Sequence, residues 1–435
     1  MPNDPAAAGR RRGESPWPDR LLGAAVAFTS ATQLRVPGSP VGLGELLLAA
    51  WLAWALFAIV RRGSVAVAPV TRALLGFWGV ALCALLAGGA QGIRLGVLEP
   101  ESGHSAVALA LACVVTSLFV LQPRVEARVA EVLRTMLFVD AACLGFLLVA
   151  GAVTRGAVGP VQVWYALRFT GWSANPNQLA LACLPLPFVA YARLHAGVAG
   201  RAGRAAYAAA GLTMLGVGLA TLSDALLLAW AAGLGALAAG GWLHLALNPG
   251  RRLWPRVFAL VVAPIVAAGA LALSAPILGD VAEGYAQSTY EEGGQGSERV
   301  TLWRHGLEAA AGSPLVGYGP GGYSGSHRPF GGMEAHNTPI DWLDQSGVIG
   351  LVAFLALSAF AGARALRAGR AAEAAMLAAL LVFLMFHFVV RHPAFWFALL
   401  WPASATPAVA QRLRGGGRTG AADARRASAP AASPA

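Results

Sequence analysis

A chain of 435 residues that is 57% hydrophobic and 12% charged, with a mean hydropathy of +0.60, describes a polytopic membrane protein and not a water-soluble domain. All 32 basic residues are arginine, and the formal charge of +11 fits the basic flanks of membrane spans better than a nucleic-acid surface. The apolar runs are continuous and Ala/Leu-rich where a barrel strand would alternate, which excludes a β-barrel and leaves an all-α fold.

In chain order, residues 1–20 form a basic, Pro-rich tail with no signal-peptidase-like site, so the first apolar run reads as a retained helix. Runs of about 20 apolar residues then predict twelve spans, at 21–34, 41–60, 70–88, 104–121, 132–152, 177–194, 205–223, 225–246, 255–276, 345–363, 372–390 and 394–411. The first is short. Alternate loops hold 24 of the 32 arginines on one side, which places both termini in the cytoplasm. Five units follow: a cytoplasmic tail (1–20), helices one to nine (21–276), a large extracytoplasmic loop (277–344), helices ten to twelve (345–411) and a disordered Ala/Ser/Arg-rich tail (412–435). Cys83, Cys113, Cys143 and Cys183 sit inside apolar runs without CxxC spacing, which implies neither disulfides nor a metal site.

Two outer segments carry polar chemistry. The first, Thr154 to Pro176, contains Arg168 and leads into ANPNQLA, a helix start with Asn175 or Asn177 as cap and Pro176 in the first turn. Capping is the default role of these amides, and facing a sugar is secondary. The second, Ile277 to Ala335, carries Arg299, Arg304 and Arg328. Arg299, Trp303 and Leu307 fall at i, i+4 and i+8, one face of a short helix that Pro314 ends. A guanidinium there can grip a phosphate bidentately, or pair with Glu298 or Glu308 as an ordinary surface arginine. Arg304 lies off that face. GYGPGGY (Gly317 to Tyr323) lacks a nucleotide-loop pattern and predicts a tight turn with close backbone approach.

His336–Asn337 precedes the tenth helix, with Asn337 or Thr338 as cap and Asp341 and Asp344 in its first turns. A histidine at a membrane entrance can be a general base, oriented and raised in pKa by a neighbouring carboxylate, or a hydrogen-bonding anchor. Asp140 in the fifth span and His387, Arg391 and His392 near the outer end of the eleventh are polar groups at membrane depth that require partners. No motif suggests a metal, haem, flavin or nucleotide cofactor.

Taken together, the N-P-N helix start, R-x3-W-x-x-G-L from Arg299, P-L-x-G-x-G-x-G-x-Y from Pro314 and H-N-x5-L-x3-G-x-x-G from His336 resemble the O-antigen ligase and O-antigen polymerase superfamily of bacterial membrane glycosyltransferases. The resemblance is most specific over 217–363. It implies transfer of a glycan from an undecaprenyl-diphosphate carrier to a hydroxyl of a glycan, lipid-core or protein acceptor, at the outer face of the cytoplasmic membrane. Arg299 matches the arginine that binds the carrier diphosphate, His336 the histidine that deprotonates the acceptor, and Asn337 and the Gly317/Gly319 turn structural positions. One position departs: the family carries Ser-Arg-Gly where this chain has Ser223-Asp224-Ala225, so an acid replaces a second diphosphate contact. Arg168 or Arg391 could replace it in space, or Asp224 could contact sugar hydroxyls. The alternative to an enzyme is a lipid-linked glycan transporter or a degenerate homologue that binds the carrier.

Overall fold

The computed structural model describes residues 15–37, 39, 41–65, 67–98, 100–154, 156–197, 200–247, 295–322 and 334–406. The span expected at 255–276, Arg155, Arg328, the tail at 412–435 and most of the tail at 1–20 lie outside the described residues.

The described chain is predominantly helical. Its helices are α1 (Trp17–Phe28), α2 (Leu43–Arg62), α3 (Pro69–Leu95), α4 (Pro100–Val120), α5 (Val125–Thr154), α6 (Pro176–Cys183), α7 (Leu186–His195), α8 (Arg201–Ala220), α9 (Asp224–Leu247), α10 (Gln295–Gly312), α11 (Thr338–Arg367), α12 (Ala371–Phe383) and α13 (Pro393–Ser404). Six of them, within Leu43–Arg62, Pro69–Leu95, Ser102–Val120, Val125–Thr154, Asp224–Leu243 and Thr338–Arg367, are long and apolar enough to cross a membrane. Their outward faces, with Leu86, Phe146, Val149 and Val153 exposed, suit a hydrocarbon solvent.

Several boundaries differ from expectation for local reasons. The sixth span is broken into α6 and α7, because Pro185 and Pro187 each remove an amide donor that the helix ladder needs. The eleventh stops at Phe383 and not at 390, so His387, Arg391 and His392 lie in the irregular stretch between α12 and α13. The tenth begins at Thr338, where Asn337 caps it by accepting from the Ile340 amide at 3.2 Å. Between α5 and α6, two hairpins add small strands to the helical fold: β1 (Ala157–Val158) pairs with β2 (Val161–Gln162), and β3 (Trp164–Tyr165) with β4 (Arg168–Phe169).

All twelve residues of α13 are buried, as befits a helix apolar on every side. It packs against α5, α11 and α12, while α3 lies along α11 and α9 along α12. Phe77, Trp78, Trp342, Phe354, Phe395 and Trp396 form one aromatic cluster, with Trp78 and Trp396 centroids 4.7 Å apart. Asp140 of α5 is fully buried, and both of its carboxylate oxygens lack a hydrogen-bond partner among the described residues.

The glycine-rich turn seats the outer segment against the bundle. α11 is interrupted at Gly347, whose φ is 63°. Across the interruption the Tyr318 and Gly319 amides donate to the carbonyls of Asp344 and Gln345 at 2.8 and 2.9 Å, and the Val348 amide donates to the Pro314 carbonyl at 2.8 Å. The turn thus satisfies backbone groups that the broken helix frees. Side chains are excluded at its centre: a Cβ on Gly319 (φ 85°) would stand 2.5 Å from the Cα of Gly89 on α3. The expected close backbone approach is therefore to neighbouring helices.

Candidate active site

A cavity of about 200 Å³ opens beside the start of α11. His336, Glu334, Arg299, Arg391, His387, His392 and the amides Asn175, Asn177 and Gln178 line its polar part, and Leu181, Phe383, Phe388 and Val389 its apolar part. These residues come from four separated stretches of sequence.

His336 is held from its backbone. Its φ is +52°, in the left-handed region, a conformation that costs of order 1–3 kcal/mol outside glycine. Asp341, one turn into α11, overcomes that cost by accepting from the Ala335 and Asn337 amides at 2.8 and 3.0 Å, on either side of the histidine. The next two residues are tied to the stretch after α12. The Asn337 amide side chain donates to the Met385 carbonyl at 3.0 Å, and the Thr338 hydroxyl donates to the His387 carbonyl and accepts from the Val389 amide. One set of bonds therefore fixes both His336 and His387 at the cavity wall.

The carboxylate beside the imidazole is Glu334, not Asp341 or Asp344, which the sequence offers downstream. Burial lowers the His336 pKa below its ordinary value; Glu334 opposes this, and Arg299 and Arg391 add to the lowering. The expected rise is thus outweighed, and the ring is a neutral imidazole at pH 7. Burial likewise pushes His387 down to about 3, helped by Arg299, His336, Arg168 and His392. His387 stays neutral, with its ring 4.8 Å from that of Phe383.

Arg299 reaches the cavity from α10, its guanidinium carbon 5.9 Å from the Phe386 ring centroid. Among the described residues it makes no ion pair or hydrogen bond, and a guanidinium offers five N–H donors suited to an anion. The face that α10 buries is Leu302, Gly306 and Ala310, about one position from the face shared by Arg299, Trp303 and Leu307, of which Leu307 is exposed. Gly306 permits the approach, since a Cβ there would stand 2.5 Å from Ile340. Arg304 faces away. It pairs with Glu308 at 2.9 Å, and both side chains are largely exposed, at 78% and 55%.

Arg391 lies over the Phe388 ring at 5.0 Å and holds Glu334 with both terminal nitrogens, at 2.6 and 2.9 Å, while also donating to the Ser105 hydroxyl at 3.1 Å. Arg168 does not line the cavity but buttresses it. From β4 it donates to the Thr221 carbonyl at 2.9 Å and to the Asn177 side-chain oxygen at 2.8 Å. Burial lowers its pKa, Asp224 opposes that, and Arg299 adds to it. Arg168 therefore stands beside Thr221 and Asp224, the connection in which the resemblance expects an arginine. Asp224 opens α9 and is exposed. Asn175 is the cap of α6, accepting from the Asn177 amide at 2.8 Å.

Arg299, His336 and Arg391 are thus brought together. Asn337 supports the wall, Arg168 and Asp224 lie behind it, and Arg304 is outside. Glu334 and the pairing of Phe386 with Arg299 were not read from sequence. For Glu334 the available signal was its position two residues before His336. Among the described residues no group of three or more His, Cys, Asp or Glu side chains is placed to hold a metal ion.

Residues 209–355 match the protein family described as O-antigen ligase. The match runs from α8 to the middle of α11 and contains Asp224, Arg299, His336 and Asn337, whereas Arg168 and Arg391 lie outside it. No curated protein matches the chain.

Proposed function

We propose, from the match of residues 209–355 to the O-antigen ligase family, a bacterial membrane glycosyltransferase that moves a glycan from undecaprenyl diphosphate to an acceptor hydroxyl. The acceptor is a glycan, a lipid core or a protein, and the reaction takes place at the outer face of the cytoplasmic membrane, with both termini inside. The observation that carries this reading is a guanidinium without an ion pair among the described residues, Arg299, and a neutral buried imidazole, His336, on the walls of one cavity.

In the step, the acceptor hydroxyl oxygen forms a bond to the anomeric carbon while the bond from that carbon to the diphosphate oxygen breaks. The hydroxyl proton passes to the His336 ring, and the electron pair leaves with the diphosphate. Arg299 receives the growing negative charge in a half-buried setting where a charge-assisted bond is strong. Arg391 and Arg168 lie close enough to add to the field, Arg168 from the place of the missing family arginine. A neutral ring is the form a base requires, and burial keeps it so at pH 7. Imidazolium formed in the step is stabilised by Glu334.

The test is surface glycan in a deletion strain complemented with wild type or His336→Ala. Deletion should remove long chains and leave carrier-linked repeats, with wild type alone restoring them. A ladder reduced to one repeat identifies a polymerase, and polymer retained on the carrier identifies a ligase. Full rescue by His336→Ala would overturn the assignment and favour a carrier-binding or transporting protein.

A further inference from the structure

Arg391 can grip a diphosphate with its two terminal nitrogens only if they are free, and in this structure they hold an acid. Both terminal nitrogens contact Glu334, whose side chain is 13% exposed against 23% for the arginine. This bidentate pair lies in the wall of the same cavity as Arg299 and His336. Glu334 is also the carboxylate that acts most strongly on the His336 ring. One acid therefore faces two partners that need opposite things. The arginine must shed it to bind an anion, and the histidine needs it once a proton arrives.

We infer that Glu334 is a positioning residue that holds the place of the donor diphosphate on Arg391 and, when displaced by it, becomes the counter-ion of protonated His336. The inference rests on the diphosphate reading of the cavity. The exchange is charge-balanced: an incoming phosphate oxygen replaces a carboxylate oxygen on the guanidinium, and the released carboxylate stays two residues from a ring about to become cationic. Among the described residues the charged and titratable groups around that ring are Glu334 itself, Arg299 from α10, Arg391 and His387 from the stretch after α12, and Asp341 of α11, whose carboxylate is bonded to the amides on either side of the histidine. With the donor in place Arg299 and Arg391 are both neutralised, and Glu334, the carboxylate that acts on the ring, is set to favour the imidazolium. Arg391 is kept from collapsing by its second anchor, the Ser105 hydroxyl, and by Phe388 beneath it. The device ties the strength of the base to occupancy of the donor site, which disfavours activation of an acceptor when no donor is bound.

The test is Glu334→Gln in the full-length protein, purified in detergent. A merely structural acid would, on removal, weaken binding and turnover together. Here the two must move in opposite directions. KM for the lipid-linked donor should fall about 3- to 10-fold because the competing carboxylate is gone, and kcat should fall about 10-fold or more because the imidazolium loses its counter-ion. The acid limb of the kcat profile should also move to lower pH, since loss of a carboxylate lowers the pKa of the ring. KM that is unchanged or raised, or an acid limb that stays in place, overturns the inference. Binding of inorganic pyrophosphate supplies a readout independent of turnover. Glu334→Gln should bind it about 3- to 10-fold more tightly than wild type does, and equal or weaker binding counts against the exchange. If pyrophosphate binds wild type but not Arg299→Ala, the diphosphate site stands whatever Glu334 does. If wild type does not bind it at all, the inference and the reading beneath it fall together.

Discussion

Two regions of this protein are built from the same materials, arginines and carboxylates, and use them differently. α11 separates them, with His336 at its start and Arg370 just past its end, about 45 Å of helix apart. At the Arg370 end, guanidinium groups are bonded to acids on other helices: Arg370 to Glu126 at 2.8 Å, Arg128 to Asp19 at 2.6 Å, and Arg20 to Glu131 at 3.0 Å. These pairs tie α1, α5 and the start of α12 together. At the His336 end, Arg299 rests on a phenylalanine, Arg168 donates to a carbonyl and an amide, and among the described residues the one carboxylate held by a cavity arginine is Glu334. A closed ion pair is a structural joint, whereas a cation left on neutral groups beside a cavity retains its affinity for an anion. Arginine number is therefore a poor guide to function here, and the partner of each arginine a good one.

Substitutions sharpen that contrast. Arg299→Ala should reduce transfer about 10²–10³-fold, the loss seen when one preorganised donor to a developing anion is removed, with protein level in the membrane unchanged. An equal loss from Arg20→Ala, measured on the same glycan assay, would erase the distinction between the two ends. Asp341→Ala comes next. It leaves the Ala335 and Asn337 amides without their acceptor, at about 1–3 kcal/mol each, and frees His336 to leave its left-handed conformation. Thermal unfolding in detergent should come earlier and transfer should fall about 10-fold or more. Unchanged values on both would show that the loop is held by other means.

Acidity gives a smaller effect of definite sign. In the proposed reaction the His336 ring is active when unprotonated, and burial with Arg299 and Arg391 holds its pKa below 6.5. Activity is thus present above the folded pKa and lost as pH falls through it. The acid limb of kcat/KM should lie below pH 6.5, and that of kcat should lie above it once diphosphate neutralises the arginines. A kcat/KM limb above pH 6.5 would contradict the charge arrangement. Smallest of all, Arg304→Ala removes an exposed pair with Glu308, of the kind worth about 0–1 kcal/mol. It should change transfer by less than about twofold.

Much of this was readable in the sequence, because it is local. Asn175 and Asn337 precede prolines near apolar runs and do cap their helices, since a cap needs only the next three residues. The six long spans declare themselves by composition. The glycine-rich turn identified itself as a close approach, though not which helix it approaches. The stretch after α12 was read as span because residues 384–390 are apolar apart from His387. They leave the helix because Asn337 and Thr338, about fifty positions earlier, bind the Leu384, Met385 and His387 carbonyls. The buried face of α10 is likewise not legible locally: Gly306, a residue without a side chain, is what lets it touch Ile340.

Sequence by itself determined a membrane-embedded helical protein, its capped helix starts and the Arg299 and His336 candidates, since hydropathy and capping act within a turn or two of chain. Only the tertiary structure decided that Glu334 and not Asp341 acts on the imidazole, that Arg391 holds Glu334 while Arg299 has no ion pair among the described residues, and that Arg168 stands beside Thr221 and Asp224. Those outcomes depend on side chains from stretches far apart in the chain meeting across a few ångströms. Charge interactions depend on distance and burial, neither of which spacing along a chain records.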